Sequence, residues 1–305
     1  MPVVLSVAYH SLDALQQLGT DLARQSLSPV RWLVVDNSPL SAPLRVSDLS
    51  SASCGPELEL ALVAGSEGDG FGAGCNRGFE HLARRGWGGW IWLLNPDTAL
   101  PAGDELERLS LALAQLSPLA LLGTAVRSGS GELEPSGGWI DPGVHFRRRR
   151  VSAASAADSS GSATGTVPLH WLSGCSLLIR PSAHTPPARF DPAFPLYYED
   201  MDLCLRLATA GAPVLWWPAL AVSHQRGAGS HTPSERRQRL STLSYLRFLR
   251  RHRPGWVLAL RSLRLLLLTL LRLPGRPKRS WATLVAMAAA MAPFPSADTA
   301  VSPRR

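Results

Sequence analysis

Residues 90–97 read WIWLLNPD, a run of five apolar residues followed by a polar turn that ends in Asp97. Large apolar side chains without alternation are typical of a strand that is covered on both faces. In open α/β sheets, ligands gather just beyond the carboxyl ends of such strands. The stretch therefore predicts a buried strand, Trp90–Leu94, that presents an aspartate to a site.

Six further apolar runs repeat this pattern, and helical patterns stand between several of them. The other predicted strands are Val3–Tyr9, Trp32–Val35, Leu58–Val63, Leu119–Val126, Leu177–Ile179 and Val214–Trp217. The predicted helices include Leu12–Arg24, Asn76–Arg85 and Glu105–Gln115. This order predicts an α/β fold with a mainly parallel central sheet flanked by helices.

The charge is unevenly spread along the chain. Residues 236–305 hold 15 of the 31 Lys and Arg residues but one of the 23 acids, Asp298. We therefore divide the chain into a main domain, residues 1–235, and a basic helical C-terminal extension, residues 236–305. A basic extension suits an anionic membrane surface or nucleic acid. It contains no recognisable nucleic-acid module, so no nucleic-acid partner is expected.

Within the extension, Gly255–Leu273 is interrupted by three arginines, so its apolar run is too short to cross a bilayer. On a helical wheel these arginines fall on one side, away from a Leu-rich face. Two interpretations are open: a helix that lies in a membrane interface, or a helix that packs its Leu face on the main domain.

The cysteine spacing and the N-terminal sequence indicate the cellular compartment. The four cysteines have no CxxC spacing, which favours buried free thiols over a zinc or redox site. No basic, apolar leader precedes Pro2, so we expect a cytoplasmic protein. If the extension lies in a membrane interface, the protein is attached peripherally to the inner face of the cytoplasmic membrane.

The segment from Arg127 to Val167 has a different composition. Its part Ser152–Thr166 is built almost wholly of Ser, Ala, Gly, Thr and Asp, and we predict a flexible loop or lid over about residues 127–167. The run Arg147–Arg150 is interpreted either as a solvated charge run or as a grip on phosphate.

Two motifs precede this segment. Asp36 ends a predicted strand in VVDNS, residues 34–38, where a lone aspartate is either a turn residue or a ligand contact. Residues 68–78, GDGFGAGCNRG, are dense in glycine, which lets the backbone approach a ligand closely. The segment lacks the spacing of a dinucleotide fingerprint.

The strongest local signal is residues 190–202, FDPAFPLYYEDMD. A helix is predicted to start at the acidic cluster and to stop at Gly211, with Asp202 and Arg206 paired on its outer face. The acids either complement the helix dipole or carry chemistry. His224 follows the strand Val214–Trp217, where a lone histidine is structural or a ligand.

Taken in order, these motifs resemble those of the family 2 glycosyltransferases, particularly the bacterial rhamnosyltransferases. The matching segments are Val35–Ser38, Gly70–Gly78, Asn95–Asp97, Phe190–Arg206 and Ala210–His224. The resemblance covers about residues 2–230 and implies a GT-A type fold. It implies an inverting transfer of a sugar, with rhamnose a candidate, from a nucleotide-sugar donor to a glycan or lipid-linked acceptor of the cell envelope.

The resemblance also assigns roles to residues. Asp200 would be the general base, and Mg²⁺ or Mn²⁺ would be held by Asp97 and His224. Nucleotide contacts would come from Tyr9, Asp36, Gly70 and Asn76. The acceptor or sugar would contact Trp171, Tyr198 and Glu199, although the aromatic residues could equally pack in the core.

Departures from the family pattern leave alternatives. His10 replaces a usual Asn after Tyr9, Gly68 replaces an Asn, Pro192 replaces an acid, and Pro181–Arg189 holds three prolines. Rival functions are a nucleotidyltransferase, a binding protein that engages nucleic acid, and a degenerate GT-A fold acting as a non-catalytic nucleotide-sugar-binding scaffold. The first lacks support because Tyr9–Gln16 has no Gly-rich basic loop.

Overall fold

The structure is a computed structural model that describes residues 1–28, 30–39, 41–49, 58–141, 148–157, 165–225 and 234–293. Within these ranges, nine strands form a large sheet and three form a smaller one. All of the expected strands and helices named above are found there, with shifted ends.

The large sheet begins with four parallel strands in the order β3-β2-β1-β4. They are β1 (Val3–Ala8), β2 (Val30–Asp36), β3 (Leu58–Ala64) and β4 (Ile91–Leu94). Alternate residues of β1 point into two different core clusters, with Leu5 in one and Val4 in the other. The strands are thus covered on both faces, as their unalternating sequences predict. Because they are parallel, the residues that follow them meet at one edge.

Five more strands extend this sheet beyond β4. They are β5 (Thr98–Ala99), β6 (Leu121–Ser128), β9 (Val167–Pro168), β11 (Ser176–Ile179) and β12 (Val214–His224). β11 runs antiparallel to β4 and β6, and β12 runs parallel to β6. β12 is far longer than predicted, and its last residues pair with β5.

Helices cover the sheet on both sides. They are α1 (Leu12–Ala23), α2 (Val46–Leu49), α3 (Phe71–Arg84) and α4 (Glu105–Leu113). α3 starts five residues before the predicted Asn76, inside the glycine-rich segment. Its glycines face the sheet: a Cβ on Gly74 would lie 2.5 Å from Val7, and one on Gly78 would lie 2.6 Å from Leu5. These glycines let the helix approach the sheet rather than a ligand.

The prediction of a loop or lid across residues 127–167 is wrong where the chain is described. A small sheet forms from β7 (Gly137–Ile140), β8 (Arg148–Arg150) and β10 (Trp171–Leu172), and α5 (Ala153–Ala157) follows β8. Arg149 lies 3.4 Å from Asp141 and over the ring of Trp139. Arg147 and residues 158–164 lie outside the described ranges.

Four more helices lie between residues 199 and 291 in the part of the chain that the structure describes. They are α6 (Glu199–Thr209), α7 (Ser234–His252), α8 (Gly255–Arg272) and α9 (Pro277–Met291). α6 ends before Gly211, which has φ +89° as a helix stop requires. Phe248 and Leu249 of α7 are fully buried in the larger core cluster. The first helix of the basic extension is therefore built into the main domain.

The cysteines behave as predicted where they are described. Cys75, Cys175 and Cys204 are buried free thiols. Burial is the main cause that raises the pKa of Cys204 to about 12, so this thiol is unreactive. Cys54 lies outside the described residues.

Candidate active site

Asp97 and His224 are brought together by strands that are distant in sequence. The strand β5 begins directly after Asp97, and its Thr98 lies opposite His224 in the antiparallel pairing with β12. The amide of Gln225 donates to the carbonyl oxygen of Asp97 at 2.9 Å. The two residues predicted to hold a metal therefore lie side by side.

The His224 ring stands between two carboxylates. Its Nε2 lies 3.1 Å from Oδ2 of Asp97, and its Nδ1 lies 3.0 Å from Oε2 of Glu134. The hydrogen bond to Asp97 raises the pKa of His224 above its usual value; partial burial opposes this, and Glu134 adds to it. Sequence reasoning missed Glu134, because it belongs to no motif and no spacing relates it to His224.

The Asp97–His224 pair fits a hard divalent cation. Two neighbouring ligands at about 2.1 Å from one octahedral ion lie about 3 Å apart, close to the separation of Oδ2 and Nε2. The described residues contain no group of three or more His, Cys, Asp or Glu side chains that could hold an ion alone. The remaining ligands would therefore be phosphate oxygens and water, as is usual for Mg²⁺.

Asp200 lies at the same edge of the sheet. Its Oδ2 accepts a hydrogen bond from the amide of Gly174 at 3.2 Å. The carbonyl oxygen of the next residue, Cys175, accepts a hydrogen bond from the amide of Asn95 at 3.1 Å. Asn95 precedes Asp97 by two residues. These contacts anchor Asp200 to the end of β4, where Asp97 and His224 also lie.

A cavity of about 450 Å³ opens beside Asp200. Its lining includes Trp171 of β10, Tyr198, Glu199, Tyr245 of α7 and Leu265 of α8. All three residues predicted to contact sugar or acceptor thus share one cavity with the predicted base. The volume is that of a small-molecule site.

Glu199 is a buried carboxyl next to Asp200, with 8% of its surface exposed. Its Oε2 has no hydrogen-bond partner among the described residues. Burial, and after it the charge of Asp200, raise the pKa of Glu199 to about 8. A hydrogen bond from its own backbone amide lowers the pKa but does not outweigh these two causes. The protonated carboxyl can donate a hydrogen bond to a ligand in the cavity.

The backbone that leads into α6 is strained. Tyr197 and Tyr198 have φ values of +63° and +67°, a left-handed conformation that costs non-glycine residues about 1–3 kcal/mol each. The Tyr198 ring packs against Tyr245 and Phe248 of α7, with centroids 5.8 and 5.2 Å away. These contacts hold the turn that places Glu199 and Asp200 at the cavity.

Two of the predicted nucleotide contacts lie at the ends of β1 and β2: Tyr9 follows β1, and Asp36 is the last residue of β2. Asp36 is 7% exposed, and its carboxylate accepts the amides of Ser38 at 3.0 Å and Leu44 at 2.8 Å. It therefore has the turn role that the sequence left open. Tyr9 is partly exposed, with its ring 4.6 Å from that of His10.

The other two contact the protein itself. Asn76 donates to the carbonyl of Phe190 at 2.8 Å and accepts its amide at 2.9 Å. Gly70 lies so close to the carbonyl of Pro195 that a Cβ would clash with it. Both residues hold the segment before α6 against α3, and these contacts do not support a direct nucleotide role.

The prediction that Asp202 lies on the outer face of α6 is wrong. It is fully buried and bonded by Arg206 at 2.7 Å, by His252 at 2.8 Å and by Arg251 at 3.0 Å. Burial would raise the pKa of Asp202, but His252, Arg206 and Arg251 bring it below its usual value. Two of these partners belong to α7, so Asp202 joins α7 to α6.

The helix α8 exposes its apolar face. A stripe at helical spacing is about half exposed or more: Trp256, Leu260, Leu263, Leu267 and Leu270. Trp281 of α9 is 67% exposed as well. The Leu face is therefore not packed on the main domain. No helix in the described part of the chain has the length and apolarity to cross a membrane.

No model of a known protein family matches the sequence. The chain is similar to an N-acetylglucosaminyl-diphospho-decaprenol L-rhamnosyltransferase of Mycobacterium tuberculosis, found in two strains. The two are 25% identical over 293 residues, which cover 86% of this chain and 88% of the relative. The resemblance to rhamnosyltransferases is thereby confirmed.

Solved structures share the fold at low sequence identity. GalNAc-T7 with UDP, GalNAc and Mn²⁺ matches with a TM-score of 0.58 at 12% identity, over 81% of this chain and 50% of that one. The mannosyltransferase PcManGT of Pyrobaculum calidifontis, with GDP-Man and Mn²⁺, matches at 0.54 and 15% identity, over 95% and 85%. The fold is therefore of the GT-A type, as expected.

Proposed function

We propose that the chain is an inverting, metal-dependent glycosyltransferase that moves a sugar from a nucleotide diphosphate to an acceptor hydroxyl. One observation carries the proposal: Asp200 lines a cavity at the same edge of the sheet as the Asp97–His224 pair. A base and a diphosphate-binding pair must share one cleft for this chemistry. The similarity to an L-rhamnosyltransferase supports it.

Asp200 is the proposed general base. An acceptor hydroxyl is a weak nucleophile, so a carboxylate within hydrogen-bond reach must take its proton as it attacks. The amides of Gly174 and Met201 hold one oxygen each, which fixes the direction of the carboxylate. Attack opposite the departing diphosphate inverts the anomeric carbon in a single displacement.

Asp97 and His224 are the proposed ligands of Mg²⁺ or Mn²⁺. A divalent cation at this pair would supply Lewis-acid stabilisation of the charge that develops on a departing nucleoside diphosphate. Asp97 offers a carboxylate oxygen to it, and His224 is oriented by its contacts on both ring nitrogens. Two structures of the same fold that contain Mn²⁺ support this choice of ion.

The nucleotide is proposed to bind where β1 and β2 end. Tyr9 is partly exposed there. Asp36 shapes the adjacent turn, and its carboxylate oxygens have further lone pairs that can accept hydrogen bonds from the nucleotide base. Gly70 and Asn76 would act indirectly, because they fix the segment that carries Asp200. The turn lies at the ends of the parallel strands, where ligands bind in this class of sheet, so its backbone groups are in a suitable position to bind the nucleotide base.

The cavity beside Asp200 is the proposed site of the sugar and the acceptor. Trp171 and Tyr198 offer apolar faces to sugar rings, and Glu199 offers a hydrogen-bond donor. By analogy with the relative, the transferred sugar is rhamnose and the acceptor is a lipid-linked sugar of the cell envelope. Such an acceptor would be met at the inner face of the cytoplasmic membrane.

The exposed stripe of α8 is the proposed contact with that membrane. Apolar residues on one side and Arg261, Arg264 and Arg272 on the other are typical of a helix that lies in an interface. Each arginine near an anionic surface adds about 1 kcal/mol of attraction. The N-terminus of α9, with Lys278 and Arg279, extends the basic surface.

Vesicle co-sedimentation tests the membrane proposal. A variant with Leu263, Leu267 and Leu271 each changed to Asp should bind phosphatidylglycerol vesicles at least about tenfold more weakly than the wild type. These side chains are 55%, 53% and 78% exposed, so the fold should survive. The matched control is Leu111→Asp on α4, which is 69% exposed and away from α8. Unchanged binding of the triple variant would reject the proposal.

A thermal-shift screen tests the main proposal. The protein is heated with dTDP-, UDP- and GDP-sugars, with and without Mn²⁺, because a ligand that binds only the folded state raises the melting temperature. The donor that shifts it most is then offered with a polyprenyl diphosphate-linked sugar. Binding without transfer or hydrolysis across the panel would favour the alternative, a degenerate fold that binds nucleotide sugars as a scaffold.

A further inference from the structure

Glu134 contacts the ring nitrogen of His224 that faces away from Asp97. It lies where the chain turns back after β6. Leu133 pairs with Arg127 in an isolated antiparallel β-bridge, and the amide of Glu134 donates a hydrogen bond to the carbonyl oxygen of Val126 at 2.7 Å. Its side chain is 12% exposed. The sheet thus fixes the position of this carboxylate as firmly as that of His224 on the neighbouring strand.

The two nitrogens of a neutral imidazole are not equivalent, since one carries a proton and the other a lone pair. A carboxylate accepts hydrogen bonds and cannot donate them. In a neutral ring that binds a cation beside Asp97, Nε2 must carry the lone pair, and it lies 3.1 Å from Oδ2 of Asp97. The single ring proton is then on Nδ1, where the carboxylate of Glu134 accepts it at 3.0 Å.

We propose that Glu134 is a positioning residue of the divalent-cation site: it fixes the proton of His224 on Nδ1 and turns Nε2 toward the cation shared with Asp97. The proposal rests on the proposed function in one respect, because it requires that Asp97 and His224 bind a cation. Partners of this kind orient a metal-binding imidazole, and losing them typically costs about 10–100-fold in metal affinity.

A purely structural role for Glu134 makes a different prediction. If the carboxylate only tied the return after β6 to the end of β12, its loss would lower stability and leave the affinity for a cation unchanged. Metal affinity measured directly, rather than activity, therefore separates the two roles.

The experiment titrates the full-length protein with Mn²⁺ alone and follows free Mn²⁺ by electron paramagnetic resonance. Glu134→Ala should bind Mn²⁺ about 10–100-fold more weakly than the wild type. Glu134→Gln keeps the shape and an oxygen that can accept the Nδ1 proton, so its loss should be smaller. The matched control is Glu132→Gln, which removes the same charge from an exposed position two residues earlier. Melting temperatures check that each variant is folded.

Two results would overturn the inference: wild-type affinity in both Glu134 variants, or an equal loss in Glu132→Gln, which would make the effect one of net charge. A second measurement needs no folded Glu134 variant. Nitrogen-15 spectra of histidine-labelled wild type with Mg²⁺, assigned with His224→Gln, should place the proton on Nδ1. A proton on Nε2 would contradict the assigned role.

Failure of this inference is distinguishable from failure of the proposed function. If the wild type binds no Mn²⁺, the cation site and the role of Glu134 fall together. If Mn²⁺ binds and depends on Glu134 but no donor yields transfer, the role of Glu134 stands and the catalytic proposal fails.

Discussion

Two buried carboxyls in the first turn of α6 have different surroundings. Asp202 is bonded by Arg206, Arg251 and His252. Oε2 of Glu199 has no partner among the described residues, and Glu199 lines the cavity. A buried polar group without a partner is costly, so it is retained where a ligand can satisfy it. The comparison separates an acid that holds helices together from acids that line the cavity.

The largest expected effect is on the acid that joins the helices. Asp202→Asn should lower the free energy of unfolding by about 3 kcal/mol, because it removes the charge of a fully buried carboxylate that pairs with Arg206 and Arg251. Denaturant unfolding measures this, with Asp13→Asn at an exposed position as the control. A change below about 1 kcal/mol would remove the distinction between the two kinds of acid.

The next effect is on the acids that line the cavity. Asp200→Asn should reduce transfer by at least about 100-fold, about 2.7 kcal/mol in activation free energy, because an amide cannot take a proton. Donor binding and the melting temperature should match those of the wild type and of Asp13→Asn. Retained turnover would show that the base lies elsewhere.

A smaller effect extends the comparison to the cation side of the cleft. Asp97→Ala should weaken Mn²⁺-dependent donor binding at least about tenfold, since it removes a carboxylate ligand from a site with few protein ligands. Calorimetry with and without Mn²⁺ measures it. An identical loss in the absence of metal would point to a direct contact with the donor instead.

The last expected effect concerns pH. The pKa of Glu199 is about 8 in the folded protein and about 4.5 when unfolded, so the folded state binds the extra proton between these values. Stability therefore falls as the pH rises from about 4.5 to about 8.

The substitution Glu199→Gln removes the carboxyl group that binds this proton. Its melting temperature relative to the wild type should rise across the same pH window. Calorimetric scans at several pH values measure the difference, and the exposed Glu67→Gln should give none. A flat difference for Glu199→Gln would mean that this carboxyl is already ionised at low pH.

The sequence predicted the strands well because apolar runs such as Trp90–Leu94 are long and buried on both faces. The ordered motifs also singled out Asp97, Asp200 and His224, which the structure places at one edge of the sheet. It failed where the deciding contact is long-range. Nothing near Asp202 shows that α7 will cover it, and nothing near Glu134 shows that His224 will pack beside it.

The partners of the glycine-rich segment could not be predicted for a related reason. The sequence of the segment containing Gly74 and Asn76 indicates close approach and hydrogen bonding but not the partner. In the structure the partners are Val7 and the backbone of Phe190. The prediction for the Ser- and Ala-rich segment was wrong for a different reason. Ala153–Ala157 forms a short helix that the composition alone did not indicate.

α8 separates two environments, with Leu265 at the cavity and Leu263 and Leu267 exposed on the side away from it. If those leucines rest on a bilayer, the acceptor would find the enzyme by lateral diffusion in two dimensions. Turnover would then follow the mole fraction of acceptor in the lipid rather than its bulk concentration. Diluting the acceptor with inert lipid, at constant total amount, would slow the reaction.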